Sequence, residues 1–399
     1  METTTLRNAV DRCLRATGPF ASLYLPTPSL GPQAARDATL RWKNLRRDLA
    51  EAGAAEQTLA AMDDAVGVDT WAVRNRPKAD PSNTAPTPPV DDEAEHAAGQ
   101  ALVVIAAGGD VLLRRPIPDD VGDGAARFAA LPWLMPLLEA EQVQAPYLVV
   151  LLDRTGAEIW GVGREGRSID REIDGADWPI TRVAAGGWSQ RRLQQRAINT
   201  WEANAAEVAR DVARLAADLG AERVLVAGEE HSVSAFRGAA PGSLAPLLHT
   251  MERGARDERG NAPQVADEVD RHVRSIEAEH TVAVIEQLRS QLPSRRAVLG
   301  AEPVLAALRL GLVDLLLVHD DAEDRRTAWF GADPTAVALD AELLRSLGTD
   351  ELEQARLVDV AVRSALLLGG SVRAVPGAVL EDGVGALLRA ELPDGAGER

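Results

Sequence analysis

The sequence predicts an α/β protein built of three units, and three observations carry that reading. Short apolar strands alternate with long helical patterns through most of the 399 residues, as helices packed on sheets require. The pattern breaks twice, near residues 139–145 and in the charged, glycine-containing stretch 251–263. The length also suits two to four domains of roughly 100–200 residues each. The expected units are 1–142, 143–258 and 259–399.

In the first unit, residues 3–16 read as a short helix and Phe20-Ala-Ser-Leu-Tyr-Leu25 as a strand closed by Pro26 and Pro28. A basic helix is expected from Gln33 to Leu49, with Arg36, Arg41, Lys43, Arg46 and Arg47 among the apolar Leu40, Trp42, Leu45 and Leu49. Its cations fit either an RNA-facing surface or a solvated helix side. A second helix runs from Ala54 to Val66. Residues 73–98 are rich in Pro, Asn, Asp and Ala and read as a loop. Ala101–Ala106 and Asp110–Arg114 flank Gly108-Gly109 and predict a β-hairpin. The segment 131–138 reads as a packed, proline-limited turn.

The second unit opens with the strand Tyr147–Leu152. Ala157–Val162 pairs back on it after the turn Asp153-Arg-Thr-Gly156, and a third strand covers 164–173. A long helix then runs from about Ser189 to Leu219. Its apolar positions, Leu193, Ala197, Trp201, Ala205, Val208, Val212, Leu215 and Leu219, recur every three or four residues, as one helical face does. Gly220 is a suitable stop, and the strand Arg223–Ala227 follows. In the third unit a long helix is expected over 265–291, a second after Gly300, a strand over 314–318, a helix over 350–368, a strand over 371–375, and a helix plus a strand at 383–389.

Composition narrows the function. No run of about 18 apolar residues exists, so a membrane-spanning helix is not expected. The first fifteen residues lack the apolar core of a secretion signal. Cys13 is the only cysteine, so neither an internal disulfide nor a multi-cysteine zinc site can form. The net charge of −18 argues against a general nucleic-acid binder. It leaves local contacts open, because charge acts over about 8 Å at physiological salt.

The familiar catalytic motifs are missing. The six histidines form no H-x-x-x-H or H-E-x-x-H pair, and there is no P-loop or G-x-S-x-G elbow. Gly161-Val-Gly-Arg-Glu-Gly166 spells G-x-G-x-x-G, yet a strand rather than a helix is expected after it, so the glycines read as a hairpin. His319, at a strand end before Asp320 and Asp321, fits a polar strand end or a base. Asp153 with Glu158 and Glu229 permits a two-metal nuclease reading, and Asp153 fits a turn residue equally well.

The most unusual stretch is Gly186-Gly187-Trp188-Ser189-Gln190-Arg191-Arg192, with Arg196 a turn later. It carries three arginines and no acid where a helix begins. The helix dipole disfavours cations there, by a few tenths to about 1 kcal/mol. Such a violated local preference marks a candidate functional site.

These motifs resemble the archaeal–eukaryotic class-I release factor and Pelota superfamily, and most of all its bacterial branch that includes the Balon-type ribosome hibernation factors. The resemblance rests on Phe20–Leu25 with Arg41-Trp42, on the Gly186 stretch before a long helix, on Gly300–Leu305 with Leu310–Asp314, and on Gly383–Arg389. It implies a release-factor/Pelota-like chain in which the first domain faces the ribosomal decoding region, with Arg41, Arg46 and Arg47 toward RNA. The middle α/β domain would reach the peptidyl-transferase centre. The last would be an L7Ae-like α/β/α domain that contacts a translational GTPase.

In release factors the middle-domain loop ends Gly-Gly-Gln. Gly186 and Gly187 match, and Trp188 stands in the Gln position. An indole has one N–H donor and no acceptor, although it can stack on a base. The expectation is therefore a cytoplasmic, monomeric factor without cofactor or metal, not acting as an enzyme. It would occupy the ribosomal A site during hibernation or stress, touching rRNA through Gly186, Gly187, Trp188, Ser189, Gln190, Arg191, Arg192 and Arg196. The alternative is a peptidyl-tRNA hydrolase or rescue release factor acting through Gly186, Gly187 and Gln190. A third reading is a scaffold that binds partners through its acidic surface.

Overall fold

The computed structural model describes residues 2–27, 32–67, 101–117, 121–142, 145–153, 156–163, 168–174, 187–252, 254, 262–321 and 323–396; for 2–5, 32–35, 174, 187–202 and 262–263 the description covers the backbone alone. The loop expected at 73–98 lies outside these residues. Among the described residues the fold is mixed α/β with four sheets. Its contacts divide into two compact units, one centred on 143–282 and the other made of 4–142 with 283–399.

In the larger unit, the N-terminal sheet has the order β3-β2-β1-β4, from β1 (Phe20–Pro26), β2 (Ala101–Ala107), β3 (Asp110–Ile117) and β4 (Ala125–Ala129). β1 and β2 pair antiparallel, Phe20 opposite Ala107. Side chains alternate between faces with the period of two that a strand imposes. Phe20, Tyr24, Val103 and Ile105 meet Val10, Cys13 and Leu14 of α1 (Glu2–Arg15). Ala21, Leu23, Leu25 and Val104 meet Trp42 and Leu49 of α2 (Pro32–Glu51) and Leu59 and Met62 of α3 (Glu56–Val66). Both faces are covered, which explains why these strands are apolar throughout. Burial raises the Cys13 thiol to about 12. The segment expected to be a turn at 131–138 instead enters α4 (Met135–Gln142).

The smaller unit has a sheet of order β7-β6-β5-β8-β9, with β5 (Tyr147–Leu152), β6 (Gly156–Val162), β7 (Ser168–Asp174), β8 (Arg223–Gly228) and β9 (Leu248–Thr250). β5, β6 and β7 are antiparallel, and β5, β8 and β9 run parallel. One face packs on α5 (Gly187–Leu219) and α6 (Glu230–Ala239), where Val208, Val212, Leu215 and Leu219 are buried with Leu148, Val150 and Val226. These four continue the helical face expected from the sequence. The other face, Val149, Leu151, Leu225 and Ala227, is covered by Val265, Val269, Val273 and Ile276 of α7 (Ala262–Gln291).

The C-terminal sheet of the larger unit has the order β10-β16-β11-β15, with β10 (Ala297–Leu299), β11 (Val313–Val318), β15 (Ser371–Ala374) and β16 (Val384–Leu388). α8 (Ala301–Arg309) and α10 (Leu357–Leu367) cover one face, and Leu288 of α7 packs on the other, giving α/β/α layers. A small sheet of β12 (Thr327–Phe330), β13 (Val337–Ala338) and β14 (Glu353–Arg356) joins it, with α9 (Ala341–Ser346) between β13 and β14. Two expectations change here. The helix expected over 350–368 begins only at Leu357, because Glu353–Arg356 pairs with Thr327–Phe330. The helix expected within 383–389 is absent, because a buried central strand occupies 384–388.

The N-terminal and C-terminal parts of the larger unit are joined through Trp133. Its Nε1–H donates to Asp320 Oδ2 at 2.9 Å, and the Arg127 guanidinium lies 4.0 Å over its ring. Its backbone is fixed from the first strand: the carbonyl accepts from Tyr24 Oη at 2.7 Å, and the N–H donates to Ser22 Oγ at 3.1 Å. Across the junction, Arg356 donates to Asp320 at 2.7 Å, and Arg127 and Arg356 flank the buried Asp359 at 3.6 and 3.7 Å. The Gln142 side chain pairs both ways with the backbone of Ala374, accepting at 2.8 Å and donating at 3.1 Å.

Replacing Trp133 by Phe keeps a ring beneath Arg127 and leaves the buried Asp320 short of a donor; urea unfolding should show a loss of about 1–3 kcal/mol. Burial pushes the Asp359 carboxyl from 3.8 up to about 6, against Arg356 and Arg127, which oppose the shift. The stability contributed by that proton is complete below about pH 4 and is lost as pH rises through about 6. Relative to Asp359→Asn, the wild type should therefore gain about 2 kcal/mol between pH 7.5 and pH 4.5. A constant difference across that range would contradict this assignment.

Candidate functional site

Of the stretch singled out in the sequence, Gly186 lies outside the described residues and Gly187 opens α5. The backbone of Trp188, Ser189, Gln190, Arg191, Arg192 and Arg196 is helical, in the first three turns. The first turn contains no acidic residue. At about 1.5 Å of rise per residue, Gly187 stands roughly 30 Å along the axis from Val208, where the buried face of the helix is established. Among the described side chains, Val208, Val212, Leu215 and Leu219 anchor the C-terminal part of α5 against the sheet.

The predicted cations of α2 divide into two kinds. Arg46 Nε donates to Asp63 at 2.9 Å and its Nη2 reaches Glu56 at 2.5 Å. Trp42 Nε1 donates to the same Asp63 at 2.9 Å. Asp63 thus ties α2 to α3, and Arg46 is held in that tie; Glu56 and Asp63 keep the guanidinium firmly charged. Arg41 meets the exposed Asp123 at 3.4 Å, while Arg47 lies 3.7 Å from Asp48 and 3.8 Å from Glu51. Exposed pairs of this kind contribute little, typically about 0–1 kcal/mol, and leave both arginines available to another anion.

The other candidates take structural places. Asp153 Oδ1 accepts the Gly156 N–H at 2.7 Å and closes the β5–β6 turn. Gly161 lies within β6, where a Cβ would stand 2.2 Å from the Tyr147 carbonyl oxygen, and the G-x-G-x-x-G run spans the antiparallel β6–β7 connection. His319 lines an open cleft of about 580 Å³ with Asp321, Glu323, Asp324, Arg326, Gly377, Ala378 and Gly383. Arg326 bonds to Asp324 and Asp382 at 2.8 Å each and draws the Asp324 carboxyl below its ordinary value. Among these lining residues there is no Ser, Thr, Cys or Lys to serve as a nucleophile.

The sequence reading missed the Trp133 junction. Its one early signal was a tryptophan between prolines in an apolar segment, with no hint of the distant Asp320.

Residues 146–293 match the family model described as Bacterial archaeo-eukaryotic release factor family 2. That span contains the smaller unit's sheet, α5 and α6, and it runs just past the end of α7. Two uncharacterized proteins of Mycobacterium tuberculosis are each 26% identical over 381 residues, covering 94% of this chain and 94% of their own. Among solved structures, Archaeoglobus fulgidus Pelota aligns at 18% identity over 73% of this chain and 79% of its own, with a TM-score of 0.35. An archaeal translation termination factor, aRF1, aligns at 16% identity over 98% of this chain and 99% of its own, with a TM-score of 0.25.

The Arg46 tie yields a direct check. Arg46→Ala removes both bonds and leaves Asp63 tied to α2 through Trp42 alone among the described residues, so thermal or urea unfolding should register a loss of up to about 1 kcal/mol.

Proposed function

We propose that this chain, a bacterial Pelota-like member of the release-factor superfamily by its residues 146–293, is a ribosome-associated translation factor that occupies the A site in hibernation or stress without hydrolysing peptidyl-tRNA. The observation that carries this reading is the start of α5: Gly186-Gly187-Trp188, then an acid-free first turn, on a 33-residue helix anchored at its far end. Two glycines let backbone approach a crowded surface. Arg191, Arg192 and Arg196 supply charge for phosphates, and Trp188 supplies a face for stacking. Ester hydrolysis by a release-factor loop needs an amide that can both donate and accept. Trp188 lacks the acceptor, so the reading favours occupancy over cleavage. The factor would work in the cytoplasm as a monomer, with the ribosome as partner and a translational GTPase meeting its C-terminal domain.

Gln190, two residues after Trp188, keeps the alternative of a peptidyl-tRNA hydrolase or rescue factor in play. Two measurements separate the readings. Purified ribosomes should co-sediment with the protein at low salt, with affinity falling steeply as salt rises. Neutralising Arg191, Arg192 and Arg196 together should lower the slope of log affinity against log salt by about 2–3. Ribosomes loaded with labelled peptidyl-tRNA should release no peptide. Release that vanishes in Gly187→Ala or Gln190→Ala would instead establish the hydrolase, and failure to bind ribosomes at any salt would exclude both.

A further inference from the structure

The faces of α2 are set by its packing. Ala38, Trp42 and Leu49 point into the N-terminal core. The opposite side exposes Arg36, Leu40, Lys43, Asn44 and Arg47, spaced by four, three, one and three residues, which is a single helical stripe about 16 Å long. Lys43 is one of only two lysines in the chain, Lys78 being the other. Neither Arg36 nor Lys43 has an ion-pair or hydrogen-bond partner among the described residues, and Arg47 holds its neighbours only loosely at 3.7 and 3.8 Å. Arg46, by contrast, is turned to Asp63 and Glu56. In a chain of net charge −18, Arg36 and Lys43 are thus two cations on one exposed face that no carboxylate among the described residues pairs, beside Arg47, which is loosely paired with Asp48 and Glu51.

We infer that this stripe, with Arg36 and Lys43 as its principal charges and Arg47 at its end, docks the phosphate backbone of helical RNA. The inference rests on the ribosome reading and moves the RNA contact of the first domain away from Arg46. Charge complementarity selects the occupant. The cations are strung along one line, as phosphates are along a strand, and Asn44 adds a neutral donor of the kind that contacts sugar and phosphate oxygens. Among the described side chains of α2, Leu40 is the one large apolar group exposed, too little to hold a helix in a lipid interface.

The test uses the full-length protein and an RNA hairpin of about 20 base pairs, long enough to present both strands of an A-form helix. Affinity is measured against salt for the wild type, for Arg36→Gln/Lys43→Gln, and for Arg325→Gln, an exposed arginine on the C-terminal part. The double variant should bind about tenfold or more weakly near 0.1 M salt, with its salt slope lower by about 2, one for each phosphate no longer neutralised. Arg325→Gln should match the wild type. The inference is overturned if the wild type ignores the hairpin at low salt, if the double variant keeps the wild-type slope, or if Arg325→Gln loses as much. Equal binding of poly-glutamate would also overturn it, by assigning the stripe to an acidic protein. Ribosome sedimentation run in parallel isolates the premise. Ribosome binding that is equal in wild type and double variant sinks the α2 surface and leaves the A-site reading standing. Loss of hairpin binding in the double variant, with no ribosome binding by the wild type, sinks the A-site reading and leaves the RNA surface.

Discussion

The larger unit depends on one indole. Trp133 sits where the strand β1 meets the C-terminal sheet, its backbone held by Ser22 and Tyr24 and its ring nitrogen by Asp320. Around it lie two guanidiniums and two carboxylates with little access to water. Burying charge is costly unless each ion is paired with good geometry. Asp320 meets that condition, taking bonds from Trp133 and Arg356. Asp359 does not: both arginines stop beyond hydrogen-bond range, at 3.6 and 3.7 Å. Its raised affinity for a proton follows from that mismatch. The junction is thus well satisfied at one carboxylate and poised at the other, beside the apolar packing of Leu131 and Met135 on the C-terminal core.

The smaller unit solves a different problem. Its sheet is covered on both faces, by α5 and α6 on one and α7 on the other. Among the described side chains, those that anchor α5 on the sheet lie in its last few turns. The same helix continues toward Gly187 for some 30 Å by its rise. A helix costs little extra to extend once nucleated on a packed segment. At the start of α5 the sequence places two glycines, an indole and three arginines.

Much of this architecture was legible in the sequence because it is local. The apolar strands 20–25, 101–106 and 147–152 are continuous runs covered on both sides, and the three- and four-residue spacing of Val208, Val212, Leu215 and Leu219 declares the buried face of α5. Errors fell where pairing is non-local. Glu353–Arg356 has strong helix formers, yet it is a strand because Thr327–Phe330 lies beside it. Residues 384–388 are a strand because β10 and β11 flank them. The candidate site was legible as a charge anomaly at Gly186–Arg196, and the division among the α2 cations was not. Arg46 and Lys43 look alike in sequence, and only the position of Asp63 on the neighbouring helix separates them.

That separation bears on how an acidic protein can approach a polyanion at all. At a net charge of −18, the body as a whole repels phosphate, but in physiological salt the repulsion is screened beyond about 8 Å. Contact is then governed by what stands nearest. On α2, Arg36 and Lys43 lie on the exposed side with no carboxylate partner among the described residues, and the sequence from Gly187 to Arg196 carries three arginines and no acid. Very low salt strengthens the local attraction and the global repulsion together, whereas high salt weakens the former after the latter is already screened. Affinity for RNA should therefore fall as salt rises, shallowly at low salt where the two effects oppose and steeply once the body is screened, and the curvature between the two regimes measures how far the cationic edges are insulated from the acidic body.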